Sequence, residues 1–319
     1  MVFVGVNSPA RWLAPEWREE ADAWIAAHVE VTGEIDQFKA EAWSTVMRVP
    51  TADGSVYFKA NAPEHLYEVP LLDVLTARVR SSVPDVIATD AERGWLLLAD
   101  AGRRLRELES EPGQLERWKD ALSLYAKVQR AVADDADSLV AAGVPDRRLH
   151  VLVDAYAELL DDSAAVRPDH EEALTEEELA AARAQLDDLR ADAQRLAELG
   201  LPETVQHDDL HDGNVFVGAD GMRVIDWGDT CISHPFLSFA ITAAVVRHRL
   251  PDEDVREVWR AYLEPWGGGF EQTLEPALRL GFACGALKWN DVVSAMEPVT
   301  RAPFEDGVPR QIRRVLGRL

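Results

Sequence analysis

The chain has 319 residues, of which 47% are hydrophobic, and its formal net charge is −24 at pH 7. That length and apolar fraction are enough for two lobes with a core each. An acidic surface of this kind repels nucleic acid and anionic membranes, so we expect neither as a partner. It would draw in a cationic small molecule, and it equally serves solubility.

The N-terminal part of the chain predicts a small unit of strands and helices. An amphipathic helix over 12–29 carries Trp17, Ala21, Trp24 and Ile25 on one side. Further apolar segments follow, at 35–40, 46–49, 55–60, 64–79 and 94–99. The fourth of these has helical spacing, and the others are predicted to be strands.

The rest of the chain is predicted to be mostly helical, with helical periodicity at 115–132, 149–160, 175–199 and 278–293. The third of these begins at the capping pattern Thr175-Glu176-Glu177-Glu178 and ends at Gly200. The charged segment 161–170, which contains Pro168, is expected to be a flexible insertion, and 264–269 is a further break.

Three features bear on location. The first residues lack a basic region followed by an apolar core and a cleavage site, so we see no secretory signal and expect a cytoplasmic protein. The longest apolar stretch, 236–246, is too short to span a bilayer and is typical of a buried helix. Cys231 and Cys284 form no Cys-x-x-Cys pair, which indicates a reducing compartment and supports neither a zinc site nor a disulfide framework.

The segment from His207 to Asn214 reads His-Asp-Asp-Leu-His-Asp-Gly-Asn and precedes two β-rich runs joined by Gly218-Ala219-Asp220-Gly221. We expect these runs to form a hairpin. A register in which Val217 faces Arg223 would place Asn214 opposite Asp226, with their Cα atoms roughly 5 Å apart. The oxygens of these two side chains, together with Asp209 on the preceding loop, suit Mg²⁺.

The pattern His207-x-Asp209-x-x-x-x-Asn214, followed by Ile225-Asp226, resembles the catalytic loop and metal-binding segment of the aminoglycoside phosphotransferases and related choline-kinase-like small-molecule kinases. The resemblance is specific because loop, hairpin and second acid occur in this order and in the C-terminal half. It implies an α+β, bilobal, protein-kinase-like fold. A small lobe with an antiparallel sheet plus a helix would span 1–99, and a larger, mostly helical lobe would span 100–319, with a hinge near 98–102.

The resemblance also implies roles for the residues of this loop. Asp209 would be the catalytic base or the group that orients the acceptor hydroxyl, while Asn214 and Asp226 would bind Mg²⁺. His207 would be a structural support that holds the loop against the Asp226 segment. We expect three neighbours to support these groups without acting directly: His211, Asp212 and Asp229.

A kinase of this type needs a lysine and a glutamate upstream that together hold the nucleotide phosphates. Lys59 ends an apolar strand in a chain that has few lysines and many arginines, and it is therefore the candidate. Glu68 lies one helical turn before Leu71 and Leu72, near the buried face of the predicted helix, and could pair with Lys59. Glu64 is a competing candidate for that pairing.

The other nucleotide-binding residues are predicted from their place in the chain relative to the kinase-like pattern. No Gly-x-x-x-x-Gly-Lys-Ser/Thr segment occurs, which excludes the P-loop NTPases. No glycine-rich kinase loop occurs either, and Ser44 and Thr45 stand at its place, where they could offer hydroxyl and N–H groups to phosphate. Main-chain groups at the hinge would bind adenine, near Leu98, Ala99 and Ala101. The implied cofactors are ATP, with GTP possible, and Mg²⁺.

The sequence indicates the acceptor-binding residues less specifically than the nucleotide-binding residues. Acidic and aromatic residues around the helix predicted at 278–293 are candidate substrate residues, namely Glu271, Glu275, Trp289 and Asp291. The leading expectation is a phosphotransferase that moves the γ-phosphate of ATP or GTP to a hydroxyl of a small, cationic or sugar-like molecule, such as an aminoglycoside-type antibiotic. A metabolic kinase of an amino sugar or amino alcohol is the alternative, because a fold does not determine the acceptor.

Two other classes stay open, and the oligomeric state is unknown. A metal-dependent hydrolase would bind its metal through His207, Asp209, His211 and Asp212, although the other histidines form no ligand-like cluster. A non-catalytic nucleotide-binding pseudokinase would fit the missing glycine-rich loop. It would also fit Ser238, which stands where the family commonly has an acidic residue. The intact set of Lys59, Asp209, Asn214 and Asp226 argues against it.

Overall fold

The computed structural model describes residues 7–108, 110–166 and 171–318. The predicted insertion at 161–170 therefore lies partly outside the described residues. The strands are β1 Asp36–Ala40, β2 Ser44–Thr51, β3 Gly54–Asn61, β4 Val86–Asp90, β5 Trp95–Ala99, β6 Arg103–Arg104, β7 Thr204–Gln206, β8 Val215–Gly218, β9 Gly221–Val224 and β10 Cys231–Ser233. The helices are α1 Pro15–Ala26, α2 Glu68–Val79, α3 Gln114–Ala131, α4 Ala136–Ala141, α5 Leu149–Asp161, α6 Ser163–Val166, α7 Glu176–Ala184, α8 Leu186–Ala197, α9 Phe239–Arg249, α10 Val255–Leu263, α11 Leu274–Ala295 and α12 Gly307–Val315.

A five-stranded antiparallel sheet forms the N-terminal part, in the order β1-β2-β3-β5-β4. Helix α1 covers one face of it, as its apolar side predicts. Trp24 lies 5.7 Å from Phe58 and 5.6 Å from Trp95 between ring centroids, and Ile25 is fully buried beside them. These aromatic contacts make a small separate core, because each ring removes a large apolar surface from water.

Helix α2 joins the sheet to the rest of the molecule. Its buried side chains, Val69, Leu71, Leu72 and Leu75, belong to the same apolar cluster as the C-terminal helices. The chain enters α2 through a 3₁₀ turn over Pro63–His65, so the helix begins at Glu68 and not at Glu64 as predicted. This start places Glu68 at the junction between the sheet and the helical part.

The C-terminal part is built around α11, which packs on α5, α8, α9 and α12. Close packing requires Gly281, because a Cβ there would lie 2.5 Å from the carbonyl oxygen of Leu237. The long helix carries its C-terminal half from this core to the cleft beside the sheet. Two small sheets complete this part: β7 pairs with β10, and β6, β8 and β9 form a three-stranded sheet.

The predicted helix over 175–199 is interrupted. Thr175 forms the expected capping box with Glu178, and Gly200 follows the end of the second helix with a left-handed backbone, φ +66°. Between them the chain turns at Gln185 and divides the segment into α7 and α8. The prediction of one helix was wrong because α8 redirects its apolar face toward α11 and α5, a tertiary contact that local periodicity does not report.

In the part of the chain that the structure describes, every helix is too short or too polar to cross a lipid bilayer. Helix α9, from the longest apolar stretch, lies instead behind the catalytic loop, where the Thr242 hydroxyl donates a hydrogen bond to the carbonyl oxygen of Leu210 at 2.8 Å.

Candidate active site

The hairpin that follows the loop forms as expected, but its predicted register was wrong. Val217 pairs with Met222, and Gly218 with Gly221, so only two residues make the turn. Asn214 therefore pairs with Ile225, whose N–H donates to the Asn214 carbonyl oxygen at 3.0 Å. Asp226 lies one residue beyond the ladder with a left-handed backbone, φ +63°. The shorter turn shifts the register by one residue, and the unusual backbone then turns the Asp226 carboxylate toward the sheet.

Asp209 is held by two neighbours on its own loop. The Asn214 amide nitrogen donates to the carbonyl oxygen of Asp209 at 3.0 Å and to its Oδ2 at 3.1 Å. Nδ1 of His211 accepts from the Gly213 N–H at 2.8 Å, so its proton lies on Nε2, which faces Oδ2 of Asp209 at 3.4 Å. Burial alone would raise the pKa of Asp209, but the His211 hydrogen bond and the charge of Lys288 bring that pKa below its ordinary value. The carboxylate is therefore ionised at neutral pH and can accept a proton.

His207 anchors the loop to the segment that precedes Asp226. Its Nε2 donates to the carbonyl oxygen of Ile225 at 2.8 Å, and burial lowers the pKa of its imidazole, which keeps it neutral. Its backbone N–H donates to the Tyr125 hydroxyl at 2.9 Å, and that hydroxyl shares a hydrogen bond of 2.7 Å with Ser238. Ser238 thus braces the loop through Tyr125, although its side chain is uncharged.

Two of the expected supporting acids form ion pairs beside the loop. Asp212 pairs with Arg106 at 2.9 Å and with Arg249 at 3.0 Å. Asp229 pairs with Lys288 at 3.0 Å. These contacts fix the loop and the segment after Asp226 relative to the helical part.

Lys59 lies on β3 with its ammonium between two carboxylates. Nζ is 2.6 Å from Oε2 of Glu68 and 2.5 Å from Oδ1 of Asp226. Glu68 also accepts from the Trp227 N–H at 2.9 Å, whereas Glu64, the competing candidate, accepts from the Asn7 side chain. Burial alone would lower the pKa of Lys59, but Asp226 and Glu68 raise it, so the side chain stays charged.

A cavity of about 120 Å³ lies between these groups and is lined by Asp209, Asp226, Lys39, Lys59 and Lys288 among others. The five lysines of the chain are Lys39, Lys59, Lys119, Lys127 and Lys288. Three of the five therefore meet at one small cavity, and none of the arginines that the structure describes lines it. Compact ammonium groups suit the binding of phosphate oxygens as point charges. We name this space the phosphate cavity.

Ser44 and Thr45, which were predicted to take the place of a glycine-rich loop, differ in what their hydroxyls contact. Ser44 lines the phosphate cavity, and its buried hydroxyl has no hydrogen-bond partner among the described residues. The Thr45 hydroxyl instead donates to the carbonyl oxygen of Lys39 at 2.7 Å and accepts from Gln37 at 2.8 Å. The prediction that this hydroxyl faces phosphate was wrong, because it bridges the irregular pairing of β1 with β2.

The turn before β2 closes the cleft. The Trp43 ring lies 5.1 Å from that of Phe304, and Ala42 packs on Val292 and Met296. This cluster joins the sheet to the end of α11 and covers the phosphate cavity from one side.

The predicted adenine contacts lie at the end of β5. Leu98 pairs with Tyr57, and the Ala99 N–H already donates to the carbonyl oxygen of Asp85 at 2.9 Å. A base bound there would have to use carbonyl groups or the chain after Ala99. Ala101 is buried, and Gly102 after it allows the chain to pass within contact of Val217.

The four predicted substrate residues do not form one cluster. Glu271 and Glu275 are exposed at the N-terminal end of α11, and Glu271 borders an open groove with Lys119 and Glu257. Trp289 and Asp291 lie about 20 Å further along the same helix, at the cleft. The grouping was wrong because residues near each other in the sequence of a long helix can lie at opposite ends of the molecule.

Sequence reasoning missed Lys288 and Asp208. The side chain of Lys288 is 14% exposed, and Asp229, Asp209 and Asp208 raise its pKa against the effect of partial burial. The scarcity of lysine, which pointed to Lys59, would have pointed to Lys288 as well. Asp208 has a left-handed backbone, φ +53°, and lines a second cavity of about 250 Å³ with His65, Arg147 and Asp229. The sequence shows that Asp208 adjoins Asp209, but it does not show that Asp208 is buried.

The residues present fit Mg²⁺. The Asn214 amide nitrogen points to Asp209, which leaves its oxygen to accept a cation, and Asp226 offers a carboxylate whose present partners are lysines. No group of three His, Cys, Asp or Glu suited to a metal occurs within 7–108, 110–166 and 171–318. An amide oxygen and a carboxylate oxygen suit a Mg²⁺ ion whose other ligands are substrate phosphates and water.

Comparisons with known proteins show the family and the fold of this chain. A model of the phosphotransferase enzyme family matches residues 37–275. The fold is similar to a choline/ethanolamine kinase family protein from Mesorhizobium loti, with 16% identity, a TM-score of 0.63 and 94% of each chain covered. It is also similar to aminoglycoside 2'-phosphotransferase-IIIa in its GDP complex, with 13% identity, a TM-score of 0.60, and 92% of this chain and 97% of that one covered.

A third similar structure is macrolide 2'-phosphotransferase from Brachybacterium faecium, with 16% identity, a TM-score of 0.58, and 91% of this chain and 97% of that one covered. No curated protein matches the sequence. The structural likenesses confirm the protein-kinase-like fold, and the family match confirms the expectation of a small-molecule kinase. Because that match extends from β1 to the start of α11, the chain belongs to the phosphotransferase enzyme family.

Proposed function

We propose that the protein transfers the γ-phosphoryl group of ATP or GTP to a hydroxyl of a small molecule. The observation that carries this proposal is that Lys59 and Asp226 meet Asp209 at one cavity, while Glu68 holds the ammonium of Lys59. Phosphoryl transfer asks a protein mainly to position its reactants and neutralise charge, and this set of groups does both.

In this mechanism Asp209 orients the acceptor hydroxyl and takes its proton. The hydroxyl oxygen forms a bond to the γ-phosphorus, the bond from that phosphorus to the β–γ bridging oxygen breaks, and the nucleoside diphosphate leaves. Asp209 then releases the proton to solvent. The depressed pKa of Asp209 keeps it ready to accept, and His211 and Asn214 keep it in place.

Lys59 binds the phosphates that are not transferred, and Glu68 fixes the direction of its side chain. Asn214 and Asp226 would hold Mg²⁺, which would supply charge neutralisation for the bound phosphates. Lys39 and Ser44 line the cavity on the sheet side, where they would contact phosphate. The base would bind at residues 98–102, between a small lobe over 1–99 and a large lobe over 100–319 that we propose as the two moving bodies.

The similar structures support both nucleotides and several acceptors. One is a GDP complex of an aminoglycoside 2'-phosphotransferase, and another is a ternary complex of an aminoglycoside phosphotransferase mutant with ADP and hygromycin B. Others are choline kinases. ATP and GTP, and antibiotic and metabolic acceptors, therefore all belong in the first experiment.

That experiment measures Mg²⁺-dependent release of ADP or GDP against aminoglycosides, macrolides, peptide antibiotics, amino sugars and amino alcohols. Acceptor-stimulated turnover should fall by about 10³-fold in Asp209→Asn. Asp220→Asn is the matched control, because it removes the same charge from the exposed hairpin turn.

Other results would exclude the proposal. Tight nucleotide binding without turnover on any acceptor would indicate a pseudokinase. A protein that binds no nucleotide would not be a kinase, and hydrolysis of an acceptor without nucleotide would favour the hydrolase class.

A further inference from the structure

The second cavity, which we call the acceptor cavity, adjoins the phosphate cavity. Its volume is about 250 Å³, and the two share His65, Asp229, Lys288 and Val292 as lining residues. A molecule in the acceptor cavity would therefore face Asp209 across Lys288 and Asp229. This is where an acceptor hydroxyl has to come from if Asp209 is the base, so the inference below rests on the proposed function.

Asp208 is the residue of this cavity that the rest of the fold does not explain. Its backbone, at φ +53°, is one that side-chain-bearing residues seldom adopt, and its side chain is only 2% exposed. Oδ1 accepts from the Gln206 amide at 3.1 Å, but Oδ2 has no hydrogen-bond partner in the described ranges. A buried carboxylate oxygen without a partner is costly, and such groups indicate a missing ligand.

The charges around the cavity indicate the sign of that ligand. Arg147 forms an ion pair with Asp291, and Lys288 forms one with Asp229. No basic side chain among the described residues forms an ion pair with Asp208. Burial raises the pKa of Asp208 to about 7 even though the charge of Lys288 nearby lowers it, and a cation in direct contact with Asp208 would favour the charged form further.

The walls and the volume limit the size of the ligand. Tyr67, Cys231, Cys284 and Val292 give the cavity an apolar side, opposite the charged groups. Its volume lies below the roughly 300–1,000 Å³ of sites that enclose drug-sized ligands. A molecule of one ring or a short chain fits wholly within this space, whereas a multi-ring antibiotic would have to extend beyond it.

We propose that this cavity is the acceptor site and that Asp208 binds the ammonium group of a small hydroxylated amine, whose hydroxyl is thereby directed toward Asp209. Asp208 is then a specificity residue: it selects amines over neutral alcohols. This contact gives a reason for a charged residue at position 208, where the backbone conformation favours glycine.

The test is calorimetric binding of glucosamine and ethanolamine, each against its neutral counterpart, glucose and ethylene glycol. In the wild-type protein the amines should bind and the neutral molecules should bind at least about 10-fold more weakly. Asp208→Asn and Asp208→Gly should both remove that preference. Glycine suits the backbone at this position, so its variant keeps the loop folded. Asp220→Asn is the control, because it removes the same charge from an exposed turn outside both cavities.

Three results would overturn the proposal: equal amine affinity in the Asp208 variants, neutral molecules that bind as tightly as amines, or no binding of either amine up to about 10 mM. Binding of Mg-ATP, measured on the same samples, separates this outcome from a failure of the kinase assignment. If Mg-ATP binds and the amines do not, only the acceptor proposal fails. If Mg-ATP does not bind, the proposed function fails whatever the amines do.

Discussion

Lys59 Nζ lies 2.5 Å from Oδ1 of Asp226, and this contact ties strand β3 to the segment that follows the hairpin. The same ammonium holds Glu68 on α2, so one cation joins three parts of the fold. Lys59 and Glu68 are almost completely buried, with side chains 9% and 4% exposed. Removal of one partner therefore leaves the other charged in a place that water hardly reaches.

Lys59→Met should lower the free energy of unfolding by about 3 kcal/mol, because Glu68 then lacks its cation. The double variant Lys59→Met with Glu68→Gln removes both charges and should regain most of that stability. Both variants should lack turnover, because both lack the lysine that binds the nucleotide phosphates. Urea unfolding followed by initial rates checks both statements. A double variant no more stable than the single one would show that the pair is not the source of the loss.

Asn214 and Asp226 should control the response to Mg²⁺. Asp226→Asn removes a charged ligand and should cost about 100-fold or more in turnover, since a metal supplies several kcal/mol of charge stabilisation. Asn214→Ala should raise the Mg²⁺ concentration at half-maximal rate, and paramagnetic resonance of bound Mn²⁺ gives an independent reading. An unchanged Mg²⁺ requirement in Asn214→Ala would mean that Asn214 only positions Asp209.

Lys288 should control the pH dependence of the reaction. Burial raises the pKa of Asp209, and the His211 hydrogen bond and the charge of Lys288 lower it. Asp209 must be ionised to accept a proton, so activity is lost as the pH falls through its pKa. Lys288→Met should raise that pKa and move the acidic limb of the kcat/KM profile to higher pH. Lys119→Met, which is far from the cleft, is the control and should leave the acidic limb of the profile unchanged. An unchanged acidic limb in Lys288→Met would show that Lys288 has no influence on the pKa of Asp209.

The hydroxyl of Tyr125 should matter for stability. Tyr125→Phe leaves the buried N–H of His207 without an acceptor and should cost about 1–3 kcal/mol. Tyr156→Phe is the matched control, because the Tyr156 hydroxyl is buried and has no hydrogen-bond partner in the described part of the chain. That change should be close to neutral. Thermal unfolding of the two variants decides the point, and equal losses would contradict the proposed brace.

Much of the site was predictable because its groups lie close together in the sequence or on one element. Asp209 and Asn214 share a loop, and the run from Ser55 to Ala60 shows an apolar strand whose lysine must be buried or paired. Even within these segments the register of the hairpin was wrong by one residue. A two-residue turn and a four-residue turn differ little in sequence, and the pairing energy of the whole hairpin selects between them.

By itself the sequence identified the N-terminal strands, the kinase-like loop and Lys59, because spacing and periodicity are local properties, and it left Glu68 and Glu64 as alternative partners of Lys59. Only the tertiary structure decided that Glu68 is that partner, that Lys288 on α11 enters the phosphate cavity and that Glu271, just before α11, does not. It also decided that Asp208 is buried with an oxygen unpartnered by the described residues. These facts depend on how elements far apart in the chain pack, and no local pattern records the direction in which a helix finally points.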